Sequence, residues 1–392
     1  MVVAFVMFAG CSKPFEFTGI QKVELKYKNS SEIESTLLES DKSWKYQVAA
    51  WDASYIGNYH QCLKLWDHNA SAHTAIDKVF LQSFQSRYNS VGAIEYISEQ
   101  AKNHSTVIIN EAHHQPLHRN FTTKLLIPLH EQGYRYLGLE TLSDHDTLLN
   151  QRGYPLISSG NYSKEPQFGN LIREAIEIGF KVFPYEWNRT EDDDREIAQA
   201  QNILDEIRKD SSSKYLIHCG FAHAVEGDYP SWGKAMAGRL KEISGTDPLT
   251  INQTVFTEKS KDIHNQGLLN EAQISQPTVF VNHSNESFKN PKDSTWNDIM
   301  VFHPKSKYQN NRPTWVFDNK SSVKLNLKNS NLSLPYLALA FKENEDISMS
   351  VPIDIVEVNS EKQEIHLALR EGKYTILLDD GVKSLTTTLT VK

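Results

Sequence analysis

Cysteine is scarce in this chain, which has three in 392 residues. A disulfide framework of the kind that holds small secreted domains together is therefore excluded. After its first ten residues the sequence has no apolar run of about 18 residues, so it predicts no membrane-spanning helix. Basic residues are also outnumbered, with 41 Lys and Arg against 49 Asp and Glu, a formal net charge of −8. That balance argues against a nucleic-acid partner, which requires a basic face.

The N-terminal segment is predicted to be a lipoprotein signal. Its first ten residues are apolar or small, and Cys11 follows directly. Phe8-Ala9-Gly10-Cys11 resembles a bacterial lipobox, in which the cysteine is lipidated and the preceding segment is removed. The alternative is a short buried strand. Residues 1–11 thus predict a protein of the bacterial cell envelope that Cys11 anchors to a membrane surface.

Strand and helix patterns alternate through the middle of the chain. Short β-branched and apolar runs alternate with amphipathic stretches of 12 to 16 residues. This spacing is typical of βαβ units, so the predicted fold is α/β, with a mainly parallel sheet flanked by helices. The predicted strands are 106–110, 134–140, 181–186, 214–219, 249–257, 278–282 and 298–303, and the predicted helices are 121–132, 165–179, 194–209 and 232–243.

Two regions of different texture flank this α/β part. Residues 12–42 are polar and predict a tether or an edge strand, whereas aromatic and apolar residues recur at helical spacing across 43–102. We interpret that stripe as core packing rather than as a cofactor-binding surface. In residues 321–392, short alternating strands separated by turn residues predict an all-β, sandwich-like module. The predicted domains are 12–320, which includes the N-terminal helical segment, and 321–392.

Ionisable residues follow the predicted strands at their carboxyl ends. Ligands of parallel sheets bind beyond these ends. A carboxylate buried there is costly unless it is paired or bound to a cation. We therefore expect the side chains that four strands deliver to this edge to share one cavity. They are Glu111, His113 and His114 after the first strand, Glu140 and Glu186 at the ends of the second and third, and His223 after the fourth.

Each of these residues also has a purely structural interpretation. His113 and His114 could be turn residues bonded to the backbone, and an ion pair with a nearby arginine could account for Glu140. Glu186 could cap a loop. His223 follows a glycine in a tight strand-to-helix turn, a position that favours a functional role.

Three motifs carry a family resemblance over roughly residues 100–245. NEAHHQPLHRNF, YRYLGLE and HCGFAHAVEGDYPSWGKAMAGRL resemble the superfamily of ChaN-like haem-binding lipoproteins, erythromycin esterase-like proteins and TIKI/TraB proteins. Glu111 and His113 match the Glu-x-His motif of ChaN-like members, whereas esterase-like members place the first histidine at the position of His114. The next glutamate of the esterase-like members matches Glu140, and the late turn of TIKI/TraB members matches 220–223.

The leading functional prediction is hydrolysis of a small-molecule or peptide substrate. In a metal version, His113, His223 and Glu140 hold a divalent Zn, Mn, Co or Fe ion. The ion lowers the pKa of its bound water, and Glu111 takes the proton. His114 and Glu186 are further candidate ligands.

A metal-free version uses the same cluster differently. His114 is the base, oriented by Glu111 or Glu140, and Arg119 stabilises the oxyanion. The sequence contains no convincing nucleophile elbow, so water is the expected nucleophile.

Two predictions of other classes stand beside hydrolysis. The ChaN-like resemblance implies a haem or iron carrier, and Tyr134, Tyr136 and Tyr185 are tyrosines near the proposed edge. A surface-binding protein without activity is the third prediction, with the β module as its adhesive part.

Overall fold

The computed structural model describes residues 15–186, 194–229, 233–290, 294–327 and 330–392. Cys11 and the predicted signal segment lie outside these ranges. Within them, no helix combines the length and the apolar character that crossing a bilayer requires.

Helices and strands alternate from residue 89 to about residue 302. The helices are α1 (Ser30–Glu39), α2 (Lys45–Tyr55), α3 (Tyr59–Trp66), α4 (Lys78–Arg87), α5 (Ala93–Ala101), α6 (Pro116–His130), α7 (Leu149–Arg152), α8 (Pro166–Ile178), α9 (Arg195–Lys209), α10 (Met236–Ser244) and α11 (Gly267–Glu271). The strands are β1 (Thr18–Ile20), β2 (Asn89–Gly92), β3 (Thr106–Glu111), β4 (Tyr134–Leu139), β5 (Lys181–Pro184), β6 (Lys214–Gly220), β7 (Glu226–Asp228), β8 (Leu249–Phe256), β9 (Thr278–Val281), β10 (Ser294–Trp296), β11 (Ile299–Phe302), β12 (Tyr308–Gln309), β13 (Arg312–Pro313), β14 (Ser321–Leu325), β15 (Tyr336–Lys342), β16 (Asp354–Val358), β17 (Ile365–Leu369), β18 (Gly372–Asp379) and β19 (Ser384–Val391).

An eight-stranded sheet carries the α/β part, in the order β2-β9-β11-β8-β3-β6-β4-β5. The six strands from β11 to β5 run parallel to their neighbours, while β9 and β2 pair antiparallel at one edge. The prediction of an α/β protein with a mainly parallel sheet is therefore confirmed.

Helices cover both faces of this sheet. Val107 and Ile109 of β3 pack into a core with α5, α6 and α8, whereas Ile108 packs into another core with α9 and α10. Successive side chains of a strand point to opposite faces, so a strand covered on both sides is apolar throughout. This explains the unbroken apolar run at the start of β3.

An antiparallel sheet of order β1-β19-β18-β15-β16 lies apart from the parallel sheet. Helices α1, α2 and α3 pack on one of its faces, and the β14–β17 pair packs on the other. A buried ion pair between Arg173 of α8 and Glu345, 2.7 Å long, joins this sheet region to the α/β part.

Residues 12–42, predicted as a tether or an edge strand, contain the edge strand β1 but also a helix that was not predicted. Residues Ser30–Glu39 form helix α1, and Thr18–Ile20 pair with β19. Asn29 accepts the backbone N–H of Glu32 while Glu32 accepts the backbone N–H of Asn29, which is a capping box. Helix α1 is stabilised by this capping box at its N-terminus and by Ile33, which packs into the core.

Candidate functional site

Three neighbouring parallel strands bring the candidate site together. β6 lies between β3 and β4. Glu111, the last residue of β3, lies opposite Gly220, the last residue of β6. Leu139 of β4 lies opposite His218, so Glu140, the next residue, also reaches the end of β6. Glu111 and Glu140 therefore stand on either side of Gly220.

Glu111 belongs to a fully buried charged cluster, which we call the inner network: Glu111, Arg119, Glu165 and His113. Arg119 Nε and Nη2 donate to Glu111 Oε2 and Oε1 at 2.6 and 2.7 Å, a bidentate pair. Arg119 also donates to Glu165 Oε2 at 3.1 Å and to the carbonyl of His113 at 3.0 Å. The side chains of Arg119 and Glu165 are 0% exposed and that of Glu111 is 1% exposed.

Ion pairing decides the ionisation of Glu111. Burial raises the pKa of this carboxyl, but the charge and hydrogen bonds of Arg119 outweigh burial and hold the pKa well below its usual value. For Glu165 burial prevails over Arg119, and its pKa is raised. Of the two carboxyls, Glu111 therefore has the stronger tendency to be ionised.

His113 is held in the inner network through one ring nitrogen. Its Nδ1 lies 2.8 Å from Glu111 Oε1, and because a carboxylate only accepts hydrogen bonds, this contact assigns the proton to Nδ1. The Tyr162 ring stacks on the imidazole at 4.0 Å, and Phe221 meets it edge-on at 5.1 Å. In the neutral ring, Nε2 is left with a free lone pair.

The absence of a side chain at Gly220 makes room for His113. A Cβ at this position would lie 2.5 Å from His113 Nε2 and 3.1 Å from Glu140 Oε2. The φ of Gly220 is −86°, so the position requires space rather than an unusual backbone. Its N–H donates to Glu140 Oε2. His113 Nε2 and the Glu140 carboxylate therefore face the same space above Gly220.

Glu140 belongs to a second cluster, which we call the outer network: Glu140, Arg195, Glu186, His223 and Glu196. Arg195 Nη2 donates to Glu140 Oε1 at 2.9 Å and to Glu186 Oε2 at 3.0 Å. His223 Nε2 lies 3.1 Å from Arg195 Nη1, and His223 Nδ1 lies 2.8 Å from Glu196 Oε2. The Arg195 side chain is 41% exposed, so solvent reaches this cluster.

The charges of the outer network favour the ionised form of Glu140 and the protonated form of His223. Burial raises the pKa of Glu140, but nearby charges, led by that of His223, lower it overall. Burial lowers the pKa of His223, but the bond to Glu196 and the charge of Glu140 raise it overall. A proton gained at Nε2 would end the contact with Arg195, which needs an unprotonated ring nitrogen.

His114 takes a different direction from its neighbour. Its ring stacks on Trp66 with centroids 3.8 Å apart, and neither ring nitrogen has a hydrogen-bond partner in the described part of the chain. Burial, followed by the charge of Lys259, holds the pKa of His114 well below its usual value. Glu111 therefore orients His113. The metal-free prediction instead had His114 as the base, oriented by Glu111 or Glu140.

Arg119 and Glu186 are also drawn into ion pairs. Arg119 stabilises Glu111 and Glu165 and is fully buried, so it has no open face toward a substrate. Glu186 accepts from Arg195 and from Gln199 Nε2, the latter at 2.8 Å. Of the arginines in the two networks, Arg195 is the one that solvent reaches.

The predicted metal ligands meet, but their donor atoms face a guanidinium. His113 and Glu140 lie beside Gly220, and His223 Nε2 lies 3.5 Å from Glu140 Oε1, yet Glu140 and His223 each contact Arg195. No group of three or more His, Cys, Asp or Glu residues within the described ranges is arranged to hold a metal ion. As arranged, these side chains do not fit a divalent cation, and the metal set stays a prediction.

The tyrosines named for a haem carrier are engaged in hydrogen bonds. Tyr134 begins β4, at the opposite end of the strand from Glu140, and donates its hydroxyl to backbone carbonyls. Tyr185 donates to a backbone carbonyl at 2.8 Å, and Tyr136 donates to Asp210 at 3.2 Å. Haem binding stays a prediction, without an axial ligand among these three residues as they are placed.

Sequence reasoning missed Arg195 and Glu165. Arg195 is the first residue of α9, where a positive charge opposes the helix dipole, and this misplaced charge is the signal that could have marked it. Glu165 is the N-cap of α8 and accepts from Phe168 N at 2.9 Å. Its pairing with Arg119, 46 positions earlier, has no counterpart in local sequence.

No family model and no curated protein matches this chain. Among solved structures, the type III effector HopBA1 is 13% identical with a TM-score of 0.35, over 56% of this chain and 96% of that one. The RRSP effector domain of a Vibrio vulnificus MARTX toxin is 17% identical with a TM-score of 0.28, over 51% of this chain and 45% of that one. A structure of the C-terminal region of Pasteurella multocida toxin is 10% identical with a TM-score of 0.27, over 88% and 50%.

These likenesses are too low to argue a function or a fold family. The proteins concerned are bacterial effector or toxin domains and not ChaN-like or erythromycin esterase-like proteins. The family resemblance therefore stays a prediction from the motifs.

Proposed function

We propose that this chain is a hydrolase that cleaves an ester or amide bond by activating water at His113, without a bound metal ion. One observation supports this most: the imidazole is fixed by Glu111 through Nδ1, while Nε2 faces the same space as Glu140. A base held by a carboxylate on one nitrogen and free on the other is the arrangement that general-base catalysis requires.

The proposed reaction begins with a water molecule between His113 Nε2 and Glu140. The water oxygen attacks the acyl carbon, and its proton passes to Nε2. The C–O or C–N bond then breaks, and the proton on Nε2 passes to the leaving oxygen or nitrogen, so His113 returns to its neutral state. Glu111 stabilises the transient imidazolium, and Arg119 keeps Glu111 ionised.

Arg195 is the proposed partner of the negative charge that develops on the acyl oxygen. It is a cation at the accessible side of Glu140, and its other contacts are with Glu186 and His223. In this proposal it replaces Arg119, which the sequence suggested, because Arg119 is buried between two carboxylates. A charged donor in a partly desolvated site stabilises an oxyanion more than the same donor does in water.

Water is preferred as nucleophile over the two thiols of the described chain. Cys62 and Cys219 are both buried. Burial raises the pKa of each thiol far above neutrality, so neither is a thiolate at physiological pH.

The proposed substrate is a small molecule or a peptide with an apolar group beside its scissile bond. Tyr162, Phe221 and Trp66 form an aromatic surround of His113 and His114. Phe221 is 37% exposed and has a φ of 40°, an uncommon conformation for a bulky residue that often accompanies function.

The test is a hydrolysis screen with the full-length protein. p-Nitrophenyl acetate, p-nitrophenyl butyrate and a mixed peptide library are incubated with the wild type and with Glu111→Gln and His113→Gln. We expect cleavage of at least one substrate and a loss of about 10²- to 10⁴-fold in kcat/KM for each variant. His283→Gln, a change at an exposed histidine outside both networks, is the matched control. A folded His113→Gln protein with the wild-type rate would overturn the proposal.

We also propose that Cys11 anchors the protein in the bacterial cell envelope. The motif at residues 8–11 supports this. Expression with radiolabelled palmitate should label the wild type and leave Cys11→Ala unlabelled, and an unlabelled wild type would contradict the anchor. We further propose that the chain divides into an N-terminal helical segment, an α/β domain that extends to residue 320 and a C-terminal β module.

A further inference from the structure

A large cleft lies outside both networks. It has a volume of about 1030 Å³, at the upper end of the size of small-ligand pockets. Its walls are the turn between α2 and α3, the β12–β13 hairpin and the turn between β16 and β17. The proposed hydrolysis gives this cleft no role.

Uncharged amide side chains form much of the polar lining. Asn310 and Asn311 occupy the two-residue turn of the β12–β13 hairpin, with φ of 51° and 62°. Both residues are exposed, and their side chains have no hydrogen-bond partner in the described part of the chain. Asn359 and Gln363 add amides from the opposite wall. Asn359 and Gln363 already bond to Glu357 and to each other, so the free donors and acceptors are those of Asn310 and Asn311.

The charged groups of the lining are mostly paired within the protein. Arg312 forms two bonds to Asp354 at 2.6 and 2.7 Å. Glu357 accepts from Asn359 Nδ2 at 3.0 Å and from a backbone N–H. Glu364 is paired with Lys324. The cleft therefore presents little net charge to a ligand.

Two rings stand in the same cleft. His60 and Tyr308 both line it and meet edge-to-face with centroids 5.6 Å apart. Burial, followed by the charge of Lys64, lowers the pKa of His60, which favours a neutral imidazole. These rings offer apolar surface beside the amides.

We propose that this cleft binds a neutral oligosaccharide. A sugar ring carries vicinal hydroxyls, which both donate and accept, and an apolar C–H face, which packs on an aromatic ring. The unpaired amides of Asn310 and Asn311 match the hydroxyls, and Tyr308 and His60 match the C–H face. Arg312 and Glu364 are paired within the protein, and the charges of Lys362 and Glu357 balance each other, which disfavours an ionic ligand.

An extended peptide fits the cleft less well. It would have to add to the free edge of β16, but the α2–α3 turn covers that edge at Ile355. A Cβ at Gly57 would lie only 2.4 Å from the Ile355 carbonyl oxygen, so the backbones are already in close contact. Strand addition needs an uncovered row of N–H and C=O groups.

The test measures binding of chitotetraose, cellotetraose and maltotetraose to the full chain by calorimetry, up to 10 mM sugar (about the weakest affinity expected for a glycan site). The variant is Asn310→Gly with Asn311→Gly. Glycine tolerates the positive φ of both positions, so the turn is kept and only the amides are lost. The matched control is Asn285→Gly, a change at another exposed asparagine of positive φ that does not line the cleft.

We expect at least one tetrasaccharide to bind, the double variant to weaken its Kd by about tenfold, and the control to leave Kd unchanged. Tyr308→Ala should weaken binding as well, whereas Tyr308→Phe, which keeps the ring, should preserve most of it. Failure of all three sugars to bind a folded protein would overturn the proposal. So would sugar binding that the double variant does not change, or displacement of the sugar by a β-strand-forming peptide.

Discussion

The inner and outer networks are built from the same parts and differ in their access to water. In each, a glutamate at the end of a parallel strand meets an arginine and a histidine. Arg119 of the inner network is 0% exposed, whereas Arg195 of the outer network is 41% exposed. The same kinds of side chain are therefore assembled once around a buried arginine and once around an arginine that solvent reaches.

This difference separates two tasks. A buried ion pair is costly to break because its remaining charge is left without solvent, whereas an exposed pair contributes little to stability. The inner network can thus fix the geometry of His113, and the outer network can exchange protein contacts for substrate contacts. Both histidines are bonded to a carboxylate at Nδ1, but Nε2 of His223 contacts the 41% exposed Arg195.

The largest expected effect comes from Arg119→Met. This change leaves Glu111 and Glu165 buried without their cation, so we expect a loss of about 3–5 kcal/mol in the free energy of unfolding, or failure to fold. Urea unfolding measures it. A variant within 1 kcal/mol of the wild type (about the value of an exposed pair) would show that the inner network is not the rigid one.

Acid should destabilise the protein through histidines that burial keeps neutral. Burial lowers the pKa of His218 to about 4 and that of His303 to about 3, while the unfolded chain takes up these protons near pH 6.5. The contribution of each neutral histidine to the free energy of unfolding is fully present above pH 6.5. It is lost at about 1.4 kcal/mol per pH unit as the pH falls toward the pKa of that histidine in the folded protein.

Urea unfolding at pH 7, 6 and 5 tests this slope, with His303→Gln as the comparison. Removing one of these histidines should make the pH dependence shallower by about 1.4 kcal/mol per unit. His223 works in the opposite sense, because its folded pKa is raised and its contribution is lost as the pH rises through that value. An unchanged slope in His303→Gln would contradict the neutral, buried state of His303.

Gly220→Ala should separate activity from stability. The added methyl would lie 2.5 Å from His113 Nε2, so the imidazole must shift from its present position. We expect a loss of about 10²-fold in kcat/KM, the size that small misplacements of reacting groups produce. Gly238→Ala in α10, where the nearest atom is 3.4 Å away, is the control and should keep full activity. Equal rates for both variants would show that His113 does not react above Gly220.

The smallest expected change in stability comes from Arg195→Met. Arg195 is 41% exposed, and the buried Glu140 keeps its bond to the Gly220 N–H and its contact with His223, so the loss should cost less than that of Arg119, about 1 kcal/mol. Its proposed contact with the acyl oxygen should nevertheless lower kcat by about 10²- to 10³-fold with little effect on KM. Thermal unfolding and steady-state kinetics on the same preparation test both parts, and a large loss of stability would erase the distinction between the networks.

The parallel sheet could be predicted from the sequence, whereas most of the N-terminal region could not. β3 and β6 were predictable because strands covered on both faces read as continuous apolar runs. Helix α1 was missed, although Asn29 and Glu32 form its capping box, because its few apolar residues resemble those of a polar tether. The capping signal was local, but the packing that makes the helix stable was not.

The direction of the parallel strands predicts which residues share one end of the sheet, but it does not predict their contacts. Parallel strands carry Glu111 and Glu140 to the two sides of Gly220, and His223 lies 3.5 Å from Glu140. The choice between His113 and His114 depends on how the turn after β3 is directed, which no spacing rule fixes. Arg195 reaches Glu140 across 55 residues, so this ion pair is a property of the tertiary fold.

A single turnover in H₂¹⁸O tests the central claim most directly, with the substrate that the hydrolysis screen identifies. If His113 activates water, one ¹⁸O atom enters the acid product in the first turnover, the protein mass stays unchanged, and His113→Gln forms product at least 10²-fold more slowly, a loss typical of a removed general base. An acylated protein, or a first-turnover product without ¹⁸O, would contradict the account, because the attacking atom would then belong to a side chain.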